Sequence, residues 1–250
     1  MKNDLIVFKM QQSQIKNQYT FGICFISALG GYLFGFDFAV ISGALPFLQK
    51  QFAFSSYWEG FATGILAIGA IVGCILAGNI ADKYGRRPGL MLAASLFAAS
   101  SLAMAFAPGR DFFLVSRFAA GAGVGMASML SPMYISEIAP AAIRGRLVAM
   151  NQLTIVLGIL ITNLINYTLR NAGVDAWRYM FGLGVIPSGL FLFGAYFLPE
   201  SPRWLIQNNR EERARIILGK IGNDAFVLES LMIIRRSFTG IAKVNYALVF

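Results

Sequence analysis

Six long apolar runs follow one another along this chain, at residues 21–45, 58–80, 90–107, 112–133, 147–169 and 179–198. A helix needs roughly 20 such residues to cross a bilayer, and each run is close to or beyond that length. The apolar positions are continuous rather than alternating, which predicts helices and excludes barrel strands. Connections between runs are short, so neighbouring helices are predicted to pack antiparallel in one all-α membrane bundle. Residues 1–20 read as a tail leading into that bundle, which spans 21–198. Beyond it, Pro199-Glu200-Ser201-Pro202-Arg203 is a rigid break, and 211–220 and 225–236 read as short amphipathic helices. They are too short and too charged to span, which places them on a membrane face. The closing run at 244–250 is apolar but far too short to cross.

Composition agrees with that pattern and removes other classes. Hydrophobic residues make up 57% and charged residues 13%, against roughly 25% charged in soluble domains. The net charge of +9 could suggest a nucleic-acid partner, but its placement is topological. Lys2, Lys9, Lys16, Lys83, Arg86, Arg87, Arg144, Arg146 and most basic residues after 198 fall on one side of the spans. Lys50, Arg110, Arg170 and Arg178 fall on the other. The positive-inside rule then puts both termini in the cytoplasm, in an inner or plasma membrane. The lead-in is not a cleavable signal, whose apolar core is roughly 7–15 residues. Histidine is absent, which excludes an imidazole metal site or a Ser-His relay, and no cofactor is implied. Cys24 and Cys74 lie inside spans and read as small packing residues.

The charged turn Gly78-Asn79-Ile80-Ala81-Asp82-Lys83-Tyr84-Gly85-Arg86-Arg87 sits between two of the apolar runs. Its glycine spacing exceeds what charge retention needs, so it is predicted to fix how two helices meet at a membrane face. Small residues mark the predicted helix contacts: Gly30, Gly31 and Gly35, then Gly69, Gly73 and Gly78, then Gly121 and Gly125. In lipid no hydrophobic effect drives helices together, and small residues let backbones approach.

Two ionisable groups stand inside apolar spans, Asp37 in the first and Arg117 in the fourth. An uncompensated charge there costs at least ~2.5–3.5 kcal/mol on insertion scales, so the two are predicted to pair. A permanent ion pair is one role. The other is proton exchange at Asp37, where burial favours the neutral acid, the guanidinium favours the carboxylate, and Arg117 stays charged. The fifth span carries Asn151, Gln152, Thr154, Thr162, Asn163 and Asn166, amides and hydroxyls that suit a hydroxyl-covered ligand. For Asn163 and Asn166 interhelical hydrogen bonding is the plainer role. Phe34 offers an apolar face to a sugar ring. Glu137, Arg144, Glu200 and Arg203 join Asp82, Arg86 and Arg87 at one set of span ends, as a latch or as ordinary surface pairs, each worth about 0–1 kcal/mol.

Together these motifs resemble the major facilitator superfamily and its sugar porter branch. The 78–87 turn is similar to the loop between that superfamily's second and third helices. Gly31-Tyr32-Leu33-Phe34-Gly35-Phe36-Asp37, Arg117 with Gly121, Gly123 and Gly125, Pro132-Met133-Tyr134-Ile135-Ser136-Glu137, Arg144-Gly145-Arg146, Asn151-Gln152 and Pro199-Glu200-Ser201-Pro202-Arg203-Trp204 resemble the branch. The resemblance implies a transporter of monosaccharides with protons rather than an enzyme, built as six helices in a 3+3 inverted repeat. It implies proton coupling at Asp37 with Arg117, and a sugar site lined by Phe34, Gly69, Gln152 and Ile155. It implies a cytoplasmic gate of Gly78, Asp82, Gly85, Arg86, Arg87, Glu137, Arg144, Glu200 and Arg203. Ile159 departs from the second glutamine of many relatives.

The superfamily has twelve spans and this chain carries six. The expectation is an N-terminal half cut from a longer reading frame, or else a half that pairs with a second half-sized chain or with itself. A sugar-binding membrane sensor or interaction protein is the rival reading. An enzyme is the weakest, since no nucleophile–base pair or metal-ligand cluster is apparent in the sequence.

Overall fold

The computed structural model describes residues 17–239, so Lys2, Lys9, Lys16 and the 244–250 run lie outside the described residues. Six helical spans cross the bundle. They are α1 (Asn17–Phe52), α2 (Ser56–Tyr84), α3 (Arg86–Ala105), α4 (Arg110–Ile138), α5 (Arg144–Leu169) and a broken sixth, α6 (Ala176–Gly182) continued by α7 (Val185–Phe197). Three short helices follow: α8 (Pro202–Gln207), α9 (Glu211–Ile221) and α10 (Asp224–Thr239).

The helices outrun the apolar segments that predict them. α1 continues two turns past residue 45 because its end is pinned by aromatic packing. Phe52 lies 5.5 Å from Trp177 and 6.4 Å from Phe113, and the Trp177 indole donates to Gln51 at 2.6 Å. The sixth span, predicted continuous over 179–198, is interrupted at Leu183–Gly184. Pro187 has no N–H to return to the Leu183 carbonyl, which instead accepts from Ile186 at 3.1 Å in a tighter turn.

Helix pairing is two-fold symmetric. α1 packs on α5 as α4 packs on α2, α3 packs on α4 as the sixth span packs on α1, and α3 faces the sixth span. Exchanging the first three spans with the last three reproduces this pattern, and an odd number of spans per unit inverts the second relative to the first. The bundle is therefore a 3+3 inverted repeat. α1 and α4 are its most buried helices.

Glycines make the two equivalent crossings possible. A Cβ at Gly35 would lie 2.0 Å from the Ile155 carbonyl oxygen on α5, and one at Gly125 would lie 2.1 Å from that of Ala70 on α2. Gly78 is looser, its nearest neighbour being the Met129 methyl at 3.6 Å. Cys24 and Cys74 are both free thiols, Cys24 fully buried.

Candidate functional site

Asp37 and Arg117 meet at the centre of the bundle. Arg117 Nη1 stands 3.6 Å from Asp37 Oδ1, with side chains 0% and 1% exposed. Arg117 reaches from α4 to three neighbours at once: Asp37 on α1, the Ala62 carbonyl of α2, to which its Nε donates at 2.8 Å, and the Phe181 ring of α6, 5.6 Å from its guanidinium. Both Asp37 oxygens and both terminal nitrogens of Arg117 lack hydrogen bonds among the described residues. The ion pair is thus loose, because the one strong anchor of the guanidinium is a main-chain carbonyl. A buried pair without such bonds is poorly compensated for leaving water, and that makes it easier to part.

Phe34 lies on the exposed stripe of α1 formed by positions 34, 38 and 42. Gln152 is exposed on α5 and Ile155 is half-buried there, on the helix whose backbone Gly35 touches. These three therefore sit on adjoining helices. Gly69 is elsewhere in the packing: a Cβ there would lie 2.1 Å from the Phe118 carbonyl oxygen, so it lets α2 close on α4. Ile159 is half-buried on α5. Among the amides, Asn166 bridges helices by donating to the Ala39 carbonyl at 3.0 Å, and Thr154 donates to Ala28 at 2.6 Å. Asn163 donates along its own helix, to Ile159 at 2.9 Å.

The third cluster lies at the opposite end of the bundle from Lys50, Arg110 and Arg178. Arg86 is its hub. Nε and Nη2 donate to the two Glu137 oxygens at 2.9 Å each, and Nη1 donates to the Ala81 carbonyl at 2.9 Å and lies 3.5 Å from Asp82. A planar guanidinium matched to a carboxylate in this way is among the stronger protein contacts. Glu200 forms a helix cap. Its carboxylate accepts from the main-chain N–H groups of Arg86 at 2.8 Å, Arg87 at 3.2 Å and Ser201 at 2.8 Å, which neutralises the positive end of α3. Burial pushes the Glu200 carboxyl above its ordinary range, against the downward pull of those N–H groups and of Arg86.

Arg87 donates to the Tyr196 carbonyl and stacks on its ring. Arg144 donates to the Ala139 carbonyl at 3.3 Å, and Arg203 lies over the Phe238 ring. Neither Arg144 nor Arg203 contacts a carboxylate among the described residues. The residue pattern alone does not reveal two further ties. Trp204 donates its indole N–H to the Asp82 carbonyl at 2.9 Å, and Tyr134 donates to the Pro199 carbonyl at 2.8 Å. Both acceptors are main-chain atoms, which side-chain chemistry does not announce.

A six-helix bundle with this inverted repeat, intramembrane ion pair and charged turn is one half of a major facilitator fold. The sequence profile described as "Sugar (and other) transporter" matches residues 23–244, and the chain belongs to that family. It is 44% identical over 196 residues to the glucose transporter GlcP of Staphylococcus epidermidis, covering 78% of this chain and 44% of that one. It is 41% identical over 208 residues to the galactose-proton symporter of Escherichia coli, covering 83% and 44%. The solved structure of the xylose transporter XylE from E. coli, in a partially occluded inward open conformation, matches with a TM-score of 0.84 at 38% identity, covering 88% of this chain and 59% of that one. The chain spans about half the length of the curated relatives it matches.

Proposed function

We propose that this chain forms the N-terminal half of a proton-coupled monosaccharide transporter. In this reading Asp37 takes and releases the proton, and Arg117 is the cation whose approach and withdrawal tie that exchange to helix movement. Phe34, Gln152 and Ile155 present the sugar surface, with Gly69 holding α2 against α4 behind it. The hub at Arg86, the glycine turn and the Glu200 cap, with Arg144 and Arg203, close the cytoplasmic face, where both termini lie, in the plasma or inner membrane. A second six-helix unit, in this chain's own continuation or in another chain, completes the sugar site.

The loose Asp37–Arg117 pair carries the proposal. A purely structural pair gains most when every donor and acceptor is satisfied, and here both Asp37 oxygens and both terminal guanidinium nitrogens lack hydrogen bonds among the described residues. Burial and the neighbouring cation act in opposite senses on such a carboxyl, so a small displacement of α4 relative to α1 exchanges the dominant influence.

The test is proton flux in proteoliposomes holding the chain together with a complementary six-helix half, with D-xylose, D-glucose and D-galactose as probes. Sugar-dependent alkalinisation outside the vesicles is expected. Asp37→Asn should abolish it while leaving sugar counterflow intact. Counterflow without proton movement in the unsubstituted protein would overturn the coupling. The alternative, a sugar-binding sensor or interaction protein, draws on Leu228 and Met232, exposed on α10; it predicts sugar binding with no counterflow.

A further inference from the structure

The end of the bundle opposite the Arg86 hub holds a groove that neither the coupling pair nor the sugar face uses. α3 and α6 approach closely at Gly182, where a Cβ would lie 3.3 Å from that of Ala105, and a groove opens beside this contact. This groove, of about 740 Å³, is lined by Leu102, Phe106, Leu169 and Leu183, with Arg178 and Asp175 beside them. Phe106 is 78% exposed.

Its charged side is rigid. Arg178 Nη1 donates to the Ala105 and Ala107 carbonyls at 3.0 and 2.9 Å, and Nε donates to Asp175 Oδ1 at 3.0 Å. Nη2 donates to no acceptor among the described residues. Asp175, with its side chain 60% exposed, accepts from Arg178 through one oxygen and from no other described donor. A fixed cation and a fixed anion thus stand side by side at the mouth of an apolar groove. Arg178 and Leu183 are five residues apart, about 7 Å along a helix axis, so the charges lie at headgroup depth when the apolar floor lies among acyl chains.

The groove is also apolar and open at the surface, as a face against acyl chains must be: Leu102, Phe106 and Tyr179 are all exposed. α3 and the sixth span form a layer packed behind α4 and α1, whereas Phe34 marks the open side of α1. We propose that this groove binds a phospholipid whose headgroup carries a primary ammonium, the phosphatidylethanolamine class. An acyl chain fills the groove, the phosphate accepts from Arg178 Nη2, and the ammonium donates to the free oxygen of Asp175. A choline headgroup has no N–H to donate, and a glycerol headgroup brings no cation to Asp175. The site is independent of the sugar and proton assignments.

The experiment is native mass spectrometry of the detergent-purified chain, incubated with micelles holding equal parts of phosphatidylethanolamine, phosphatidylcholine and phosphatidylglycerol with identical acyl chains. Retention of phosphatidylethanolamine about three-fold above either competitor is expected, the scale of one solvent-exposed charge contact. Asp175→Asn should erase that preference without lowering total bound lipid. Leu102→Trp, at an exposed position that fills the groove, should lower retention of all three lipids. Equal retention of the three lipids by the unsubstituted chain, or a preference that survives both substitutions, would overturn the proposal.

Discussion

Gly85 is held by two independent constraints. Its φ of 104° lies where side chains are disfavoured, and a Cβ there would come 2.3 Å from Glu200 Oε2. Gly85→Ala should therefore lower stability by about 1–3 kcal/mol, read as a drop in the thermal midpoint in detergent. Glu200 itself makes that turn sensitive to pH. Its carboxyl is raised above its ordinary value near 4.5, chiefly by burial, so the folded state holds the proton more tightly than the unfolded one. The protonated acid's contribution is complete below pH 4.5 and is lost as pH climbs through the raised folded value. Glu200→Gln cannot titrate. Expressed relative to that variant, the stability of the unsubstituted chain should fall as pH rises from below 4.5. A flat difference across the titration would remove Glu200 as the source.

At the level of helices, the crossings of α1 with α5 and of α2 with α4 depend on backbone contact. Gly35→Leu or Gly125→Leu must displace a carbonyl rather than a flexible side chain, so each should cost at least about 1–3 kcal/mol and broaden the size-exclusion peak of the detergent-purified protein. A Cβ at Gly189 on α7 would meet nothing within 4 Å and the position is exposed, so Gly189→Leu should leave both readouts near those of the unsubstituted chain. These glycines were legible as contact residues because lipid offers helices little other reason to associate. Span number and type were legible for a related reason, since hydrocarbon tolerates few alternatives to a continuous helix. Helix ends were not. The last turns of α1 are held by Phe52, Phe113 and Trp177, which are distant in sequence, and the break at Leu183–Gly184 follows from Pro187 inside an otherwise unbroken apolar run. The candidate site divides in the same way. Asp37 and Arg117 stood out because charge in an apolar run is costly, and the structure brings them together. The Ala62, Asp82 and Pro199 carbonyls that anchor Arg117, Trp204 and Tyr134 carry no side-chain signal.

Across the whole molecule, the ion pair joins the two repeats, since Asp37 belongs to the first helix of one and Arg117 to the first helix of the other. Relative movement of the repeats therefore acts directly on it. Removing one partner leaves the other charge buried alone, so Arg117→Met should destabilise the bundle by about 3–5 kcal/mol. Asp37→Asn should cost less, because Arg117 keeps its bond to the Ala62 carbonyl and its contact with Phe181. Combining the two substitutions removes both charges and should recover much of the Arg117→Met loss, a coupling on the order of 1–3 kcal/mol in a double-mutant cycle. Denaturant midpoints of the four proteins in one detergent supply the cycle. Strict additivity would mean that the two groups do not sense each other, and an Asp37 that ignores Arg117 has no means of linking its proton to the movement of α4.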